Sequence, residues 1–134
     1  MSAEGNRKVC IAFMQCLERL DFAGAALLCK PEAIFWDSVR GEMSRQDYLA
    51  ALSTFAPNYA TPLRLTLLSS TVEEHRVVLE MEGHVVLTSG FTYQNRYAIV
   101  FQLADGQITR CNEYLNTAHA LDAVKSLTPP LSRQ

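Results

Sequence analysis

Apolar residues first recur at three- and four-residue steps. Val9, Phe13, Cys16, Leu17 and Leu20, between Lys8 and Asp21, trace the stripe of an amphipathic helix with one buried side. Asp21 is positioned to cap a second, shorter helix over FAGAALLC, which Pro31 ends by excluding helical geometry from the residue before it. The β-rich stretch AIFWDSV comes next, followed by an RGEMS loop. Ser44 with Asp47 three positions on is an N-cap pattern, and it predicts a third helix through Tyr48, Leu49, Leu52 and Phe55 that Pro57 closes.

Beyond Pro62 the pattern turns to alternation. LRLTLLSSTV, HRVVLEMEGHVVL, FTYQNRYAIVFQL and QITRCNEYL are rich in branched and aromatic residues, with turn signals at Ser89-Gly90 and Asp105-Gly106. They predict antiparallel strands arranged largely as a meander, and the Asp-Gly pair sets VFQL opposite ITRC. Thr117 is the expected cap of a last short helix, AHALDAVKSL. Helices gathered in front of strands predict an α+β fold: a cone in which the N-terminal helices pack on a strongly curved antiparallel sheet and enclose a pocket. Residues 1–128 read as one domain and 129–134 as a C-terminal tail.

Composition narrows the functional classes. A chain of 134 residues with 49% hydrophobic positions can build one core but not two. Its formal charge of -2 lacks the basic surplus that phosphate backbones require, so nucleic acid is not an expected partner. No apolar run approaches the roughly 18 to 20 residues of a spanning helix, and no signal-peptide pattern stands at the N-terminus, so the expectation is a soluble, cytoplasmic protein without a membrane partner. Cys10, Cys16, Cys29 and Cys111 lack CxxC spacing and sit in apolar contexts, which argues against a disulfide framework or a zinc site.

Candidate chemistry sits on the strands. Tyr93, Asn95, Tyr97, Ile99 and Phe101 share one strand face, where an aromatic wall with oriented hydrogen bonds would suit a mostly apolar ligand; cross-strand packing with hydroxyls in water is the alternative. Glu113 has the parity of Cys111 and Leu115, so it either points inward with a raised pKa or pairs with an arginine on the surface. Asp37 beside Trp36 either enters an apolar cleft or caps an exposed turn. Glu80, Glu82 and His84 lie on one strand face; a solvated face is the simpler account than a metal site, and neither metal nor cofactor is expected.

Two segments carry a resemblance. IFWDSVRG after two helices, and GFTYQNRYAIVFQLADGQITRCNEYLNT with its Tyr-x-Asn-x-Tyr run and Asp-Gly turn, make the chain similar to the nuclear-transport-factor-2-like superfamily, specifically its SnoaL-like and ketosteroid-isomerase-like members. The resemblance implies that Asp37 matches the proton-shuttling aspartate of ketosteroid isomerases, whereas Phe13 and Ile99 fall at the positions of their oxyanion donors. Loss of those donors would remove several kcal/mol of transition-state stabilisation, so authentic steroid isomerisation is not expected. Glu113 matches one acid of limonene epoxide hydrolases, with Glu82 near the second acid and Glu80 near the arginine. His84 is the nearest counterpart of the histidine in SnoaL-like cyclases.

The implied protein is a cofactor-independent acid–base enzyme for a small, apolar, carbonyl- or epoxide-bearing metabolite. Asp37, Glu113 and His84 would be catalytic, and Trp36, Tyr93, Asn95, Tyr97, Phe101, Phe13 and Glu82 would surround the substrate. A non-catalytic ligand-binding or dimerisation module is the alternative, and a protein adaptor a third reading. The resemblance also implies a homodimer through the outward sheet face, where Ala98 and Val100 lie between Arg96 and Gln102. Sedimentation at micromolar concentration is expected to give twice the chain mass; a monomer would refute it.

Overall fold

Each helix starts where a short polar side chain can satisfy free backbone N–H groups. In the computed structural model, which describes residues 2–128, Ser2 accepts the Gly5 N–H and begins α1 (Ala3–Glu18), well ahead of the apolar stripe. Asp21 accepts the Gly24 N–H at 2.8 Å and caps α2 (Phe22–Leu27). Ser44 accepts the Asp47 N–H and caps α3 (Arg45–Phe55), which runs into a 3₁₀ turn containing Pro57. The last helix, α4 (Thr117–Leu127), is capped by Asn116 rather than Thr117, through the His119 N–H. No helix among the described residues is long and apolar enough to cross a membrane.

Six strands form one curved, unclosed sheet: β1 (Cys29–Asp37), β2 (Gly41–Ser44), β3 (Arg64–Glu73), β4 (Arg76–Val86), β5 (Thr92–Ala104) and β6 (Gln107–Leu115), in the order β2-β1-β6-β5-β4-β3. The meander from β3 to β6 is antiparallel throughout. Asp105 and Gly106 both have positive φ, 53° and 73°, as the two-residue hairpin turn requires, and Ala104 pairs with Gln107 and Leu103 with Ile108 as that turn predicts; a bulge between Gln102 and Leu103 then shifts the register by one, so that Phe101 pairs with Cys111. Two segments depart from expectation. Pro31 lies inside β1 instead of ending a helix, at the stretch where the register with β6 shifts and no ladder N–H is needed. The RGEMS segment is no loop: Gly41, at φ 82°, turns the chain back so that β2 pairs with β1.

One pairing in the sheet is parallel. β1 lies alongside β6 with Phe35 opposite Cys111 and Asp37 opposite Glu113, so the two carboxyls point to the same face. That inner face carries the core, against which all three N-terminal helices pack. Phe13 of α1 is fully buried between Phe35, at 5.9 Å between ring centroids, and Phe101, at 6.1 Å and nearly edge-on. All four cysteines are free and buried, and burial pushes the Cys10, Cys29 and Cys111 thiols up, leaving them inert packing groups.

Phe13 and Phe101 therefore fill the core and do not line a ligand space, a correction to their expected role as pocket walls. Truncation of Phe13 to Ala is expected to cost about 3–5 kcal/mol of stability, since neighbours on two strands cannot collapse into the gap. Urea unfolding of the Phe13→Ala protein checks this; a cost below about 1 kcal/mol would contradict it.

Candidate functional site

The filled core occupies only one end of the cone. Toward the other end the inner face becomes polar and the space between sheet, α3 and α4 opens into two connected lobes, of about 120 Å³ and about 260 Å³. The smaller lobe exceeds the room for a single water about tenfold and the larger about twentyfold. Both are lined by Leu52, Phe55, Tyr59, Tyr93, Tyr97 and Glu113. The inner lobe adds apolar side chains, Met14, Leu17, Leu63 and Leu65 among them, and the outer lobe adds Asp37, Arg40 and the α4 residues Ala120, Ala123 and Val124.

The parallel register sets the electrostatics of this wall. Asp37 is buried at the end of β1, and the turn after it supplies donors: Oδ1 accepts the N–H of Val39 at 2.9 Å and of Arg40 at 2.6 Å, while Oδ2 receives Nε of Arg40 at 2.9 Å and its Nη2 at 2.8 Å. Every strong acceptor direction of Asp37 is thus engaged. Glu113, half-buried at the cavity wall, is in a different situation. Burial pushes its carboxyl above the ordinary range and the neighbouring Asp37 adds to this, whereas a hydrogen bond from the Tyr48 hydroxyl and the charge of Arg40 act against it.

Tyr48 comes from α3 and stacks on Phe35, with ring centroids 4.3 Å apart, and the Arg40 guanidinium lies 5.7 Å from the centre of its ring. Burial and the Glu113 carboxyl push the Tyr48 phenol well up, so it stays a donor. Arg40 thus binds Asp37 and lies over the ring of Tyr48, whose hydroxyl bonds Glu113, so the two acids are joined through the arginine and the phenol in turn. Neither Arg40 nor Tyr48 stands out in the sequence as a site residue. Arg40 could have been found from its place three residues after Asp37, the spacing of a side-chain-capped turn. Tyr48 has no such signal, because in sequence it is one more core aromatic on an apolar helix face.

Strand parity sorts the remaining candidates. Tyr93, Asn95 and Tyr97 lie on the inner face of β5. Asn95, however, is fully engaged by protein: Nδ2 donates to the Asn116 carbonyl and the Tyr93 oxygen, and Oδ1 accepts the Asn116 N–H. Three candidates are on the opposite face of the sheet, which corrects their expected place at the pocket. Trp36 alternates outward next to the inward Asp37 and packs on Tyr114, at 5.1 Å. Glu82 and His84 alternate outward between the buried Met81 and Val85, and Glu82 pairs with Arg96 at 3.2 Å. Glu80, on that same outward face, bonds Ser69. Among the described residues no group of three or more His, Cys, Asp or Glu side chains is arranged to hold a metal ion.

This architecture can be set beside known proteins. The SnoaL-like domain matches residues 11–111, most of the chain. The chain belongs to the SnoaL-like family. Similar solved structures of this SnoaL-like protein include PrhC from Penicillium brasilianum, at a TM-score of 0.83 and 11% identity, covering 93% of this chain and 89% of that one. An LEH-like epoxide hydrolase of M. tuberculosis aligns with a TM-score of 0.74 and 15% identity, over 93% of this chain and 90% of that one. An NTF2-like protein of Burkholderia xenovorans gives a TM-score of 0.74 at 16% identity, over 92% of this chain and 98% of that one. At such identities the likeness establishes the NTF2-like fold. No curated protein matches the chain in sequence.

The raised carboxyl of Glu113 has a consequence for stability. With a folded pKa above the ordinary 4.5, its contribution is fully present below pH 4.5 and is lost as pH rises through the folded value. Glu113→Gln keeps an acceptor for Tyr48 and removes this penalty. The variant is expected to gain stability relative to the parent between pH 4 and pH 8, each unit of difference between folded and unfolded values being worth about 1.4 kcal/mol. Urea midpoints at the two pH values measure it, and a pH-independent difference would contradict the assignment.

Proposed function

We propose that this SnoaL-like protein is an acid–base catalyst for a small, mostly apolar molecule that carries a carbonyl or an epoxide, with Glu113 as the proton-transfer group. The observation that carries this reading is the contrast between two adjacent carboxyls on one cavity wall. One is held in an ion pair with all its acceptor positions taken; the other has a raised pKa and reaches open space. A carboxyl whose pKa is raised is better matched to both giving and taking a proton than an ordinary one, and the neighbouring Asp37 adds to that rise. Asp37, expected from the sequence to be catalytic, takes the supporting role together with Arg40 in this reading. The solved structure of an LEH-like epoxide hydrolase on the same fold supports the reaction class by analogy only.

A second reading has its own support. Phe13 and Ile99, which the resemblance to ketosteroid isomerases sets at the oxyanion-donor positions, are apolar and fully buried. That favours a module that binds its ligand without turning it over, and the two readings separate in one experiment. The protein is incubated in D₂O with a panel of apolar ketones, followed by NMR for exchange of hydrogens next to the carbonyl, and in water with a panel of epoxides, followed for ring opening. The acid–base reading expects a reaction that Glu113→Gln slows by roughly two to four decades. Binding of panel members with no reaction in either assay would establish the module instead.

A further inference from the structure

Helix α1 is pinned to the edge of the sheet near both of its ends. Close to its start the Asn6 side chain donates to the Glu74 carbonyl at 3.4 Å and Arg7 donates to the Ser70 hydroxyl; at its end the Glu18 carboxylate accepts the Leu65 N–H at 2.7 Å. Between these pins the contact is mostly apolar and incompletely filled. A groove of about 130 Å³ runs there, with Ile11, Met14 and Glu18 on the helix side and Leu65, Leu67 and Met81 on the sheet side. The three helix residues recur at steps of three and four, so they belong to one face. On β3, Leu65 pairs with Gly83 and Leu67 with Met81, and the strand is bulged just after Leu67.

This groove shares a wall with the inner lobe of the cavity. Met14 and Leu65 line both, whereas Ile11, Leu67 and Met81 line the groove alone. Neither side chain of the wall needs backbone movement to give way. Met14 is unbranched, and its three rotatable bonds let it repack around irregular shapes. Leu65 lies across from Gly83, where a Cβ would stand 3.4 Å from the Leu65 Cδ2, so on that side its methyl groups meet bare backbone. The bond from its N–H to Glu18 holds the main chain and leaves the side chain free to change rotamer. Both wall residues are apolar, so a group that passes between them without a desolvation penalty is apolar as well.

We propose that the inner lobe continues at its back into this groove for an unbranched alkyl tail: the head of the ligand lies beside Glu113, and its tail passes between Met14 and Leu65 to emerge along Leu67. The placement of the head rests on the reading of Glu113 as the proton-transfer group; the passage of the tail does not. Rotamer changes in two side chains admit the cross-section of one methylene chain, so the substrate class is that of linear-chain carbonyl compounds or epoxides rather than fused-ring ones.

Methyl ketones of increasing length, from methyl butyl to methyl nonyl ketone, test the passage by equilibrium binding. Affinity should rise roughly fourfold with each added methylene through the whole series. A closed wall would end the rise once the cavity is full, so an affinity that levels off beyond methyl hexyl ketone overturns the proposal in the wild-type protein alone, as does an absence of methyl nonyl ketone binding. Leu67 lines neither lobe and is 40% exposed on an edge strand, so Leu67→Glu puts a charge on the path of the tail at a position that tolerates one. The variant should weaken methyl nonyl ketone about tenfold or more and leave methyl butyl ketone within about a factor of two, which also reports an intact cavity. An equal effect on both ketones, or none on the longer, counts against the passage. Excess methyl butyl ketone should displace the longer ketone; simultaneous binding would show the long chain lying in the groove alone and would overturn the proposal too. If the long ketone meets these expectations and Glu113→Gln leaves the exchange and ring-opening assays unchanged, the acid–base reading falls and the passage stands. A reaction slowed by Glu113→Gln together with a flat chain-length series removes only the passage.

Discussion

The parallel pairing of β1 with β6 is the constraint on which the site depends. It is the one parallel contact in an otherwise antiparallel sheet, and it sets Asp37 directly beside Glu113 on the same face. Two carboxyls in that relation, partly out of water, cannot both carry an uncompensated charge. The local structure answers this. The turn after β1 folds Arg40 back onto Asp37 and aims two backbone N–H groups at its other oxygen, and Gly41 allows the reversal that creates β2. The Ser44 cap then starts α3 in the phase that brings Tyr48 to Glu113. Turn, short strand and helix start are thus successive consequences of accommodating one pair of acids.

Much of this architecture is legible in the chain, and the parts that are not have physical reasons. Alternation along β5 sorts Tyr93, Asn95 and Tyr97 onto the inner face, and the Asp105-Gly106 turn sets the last hairpin, because both signals are local. The same alternation excludes Trp36 as a companion of Asp37, since adjacent strand residues point to opposite faces. It likewise turns Glu82 and His84 outward once Leu79, Met81 and Val85 are inside. Resemblance to relatives points Glu82 and His84 at the pocket, against a parity rule that the sequence itself obeys. The parallel β1–β6 contact is different: it joins segments some seventy-five residues apart, and no local pattern announces it. Without that contact neither the proximity of Asp37 to Glu113 nor the role of Arg40 can be read.

The inner face also shows why polar chemistry collects where it does. At one end of the cone Phe13, Phe35, Val77, Ile99 and Phe101 close-pack, and none of them lines either lobe. At the other end Gly83 leaves room for the ring of Tyr97, the hydroxyls of Tyr93 and Tyr97 meet, and the lobes open. Glu113 stands at the boundary, opposite the buried Ile99 on one side and facing the cavity on the other. A carboxyl deeper in would have no path to a ligand, and one further out would be solvated into ordinary behaviour. The boundary is the position where burial raises the pKa of a group that can still reach a bound molecule. Phe13 and Ile99, both apolar and fully buried, lie on the filled side of that boundary, whereas the tyrosines line the open side.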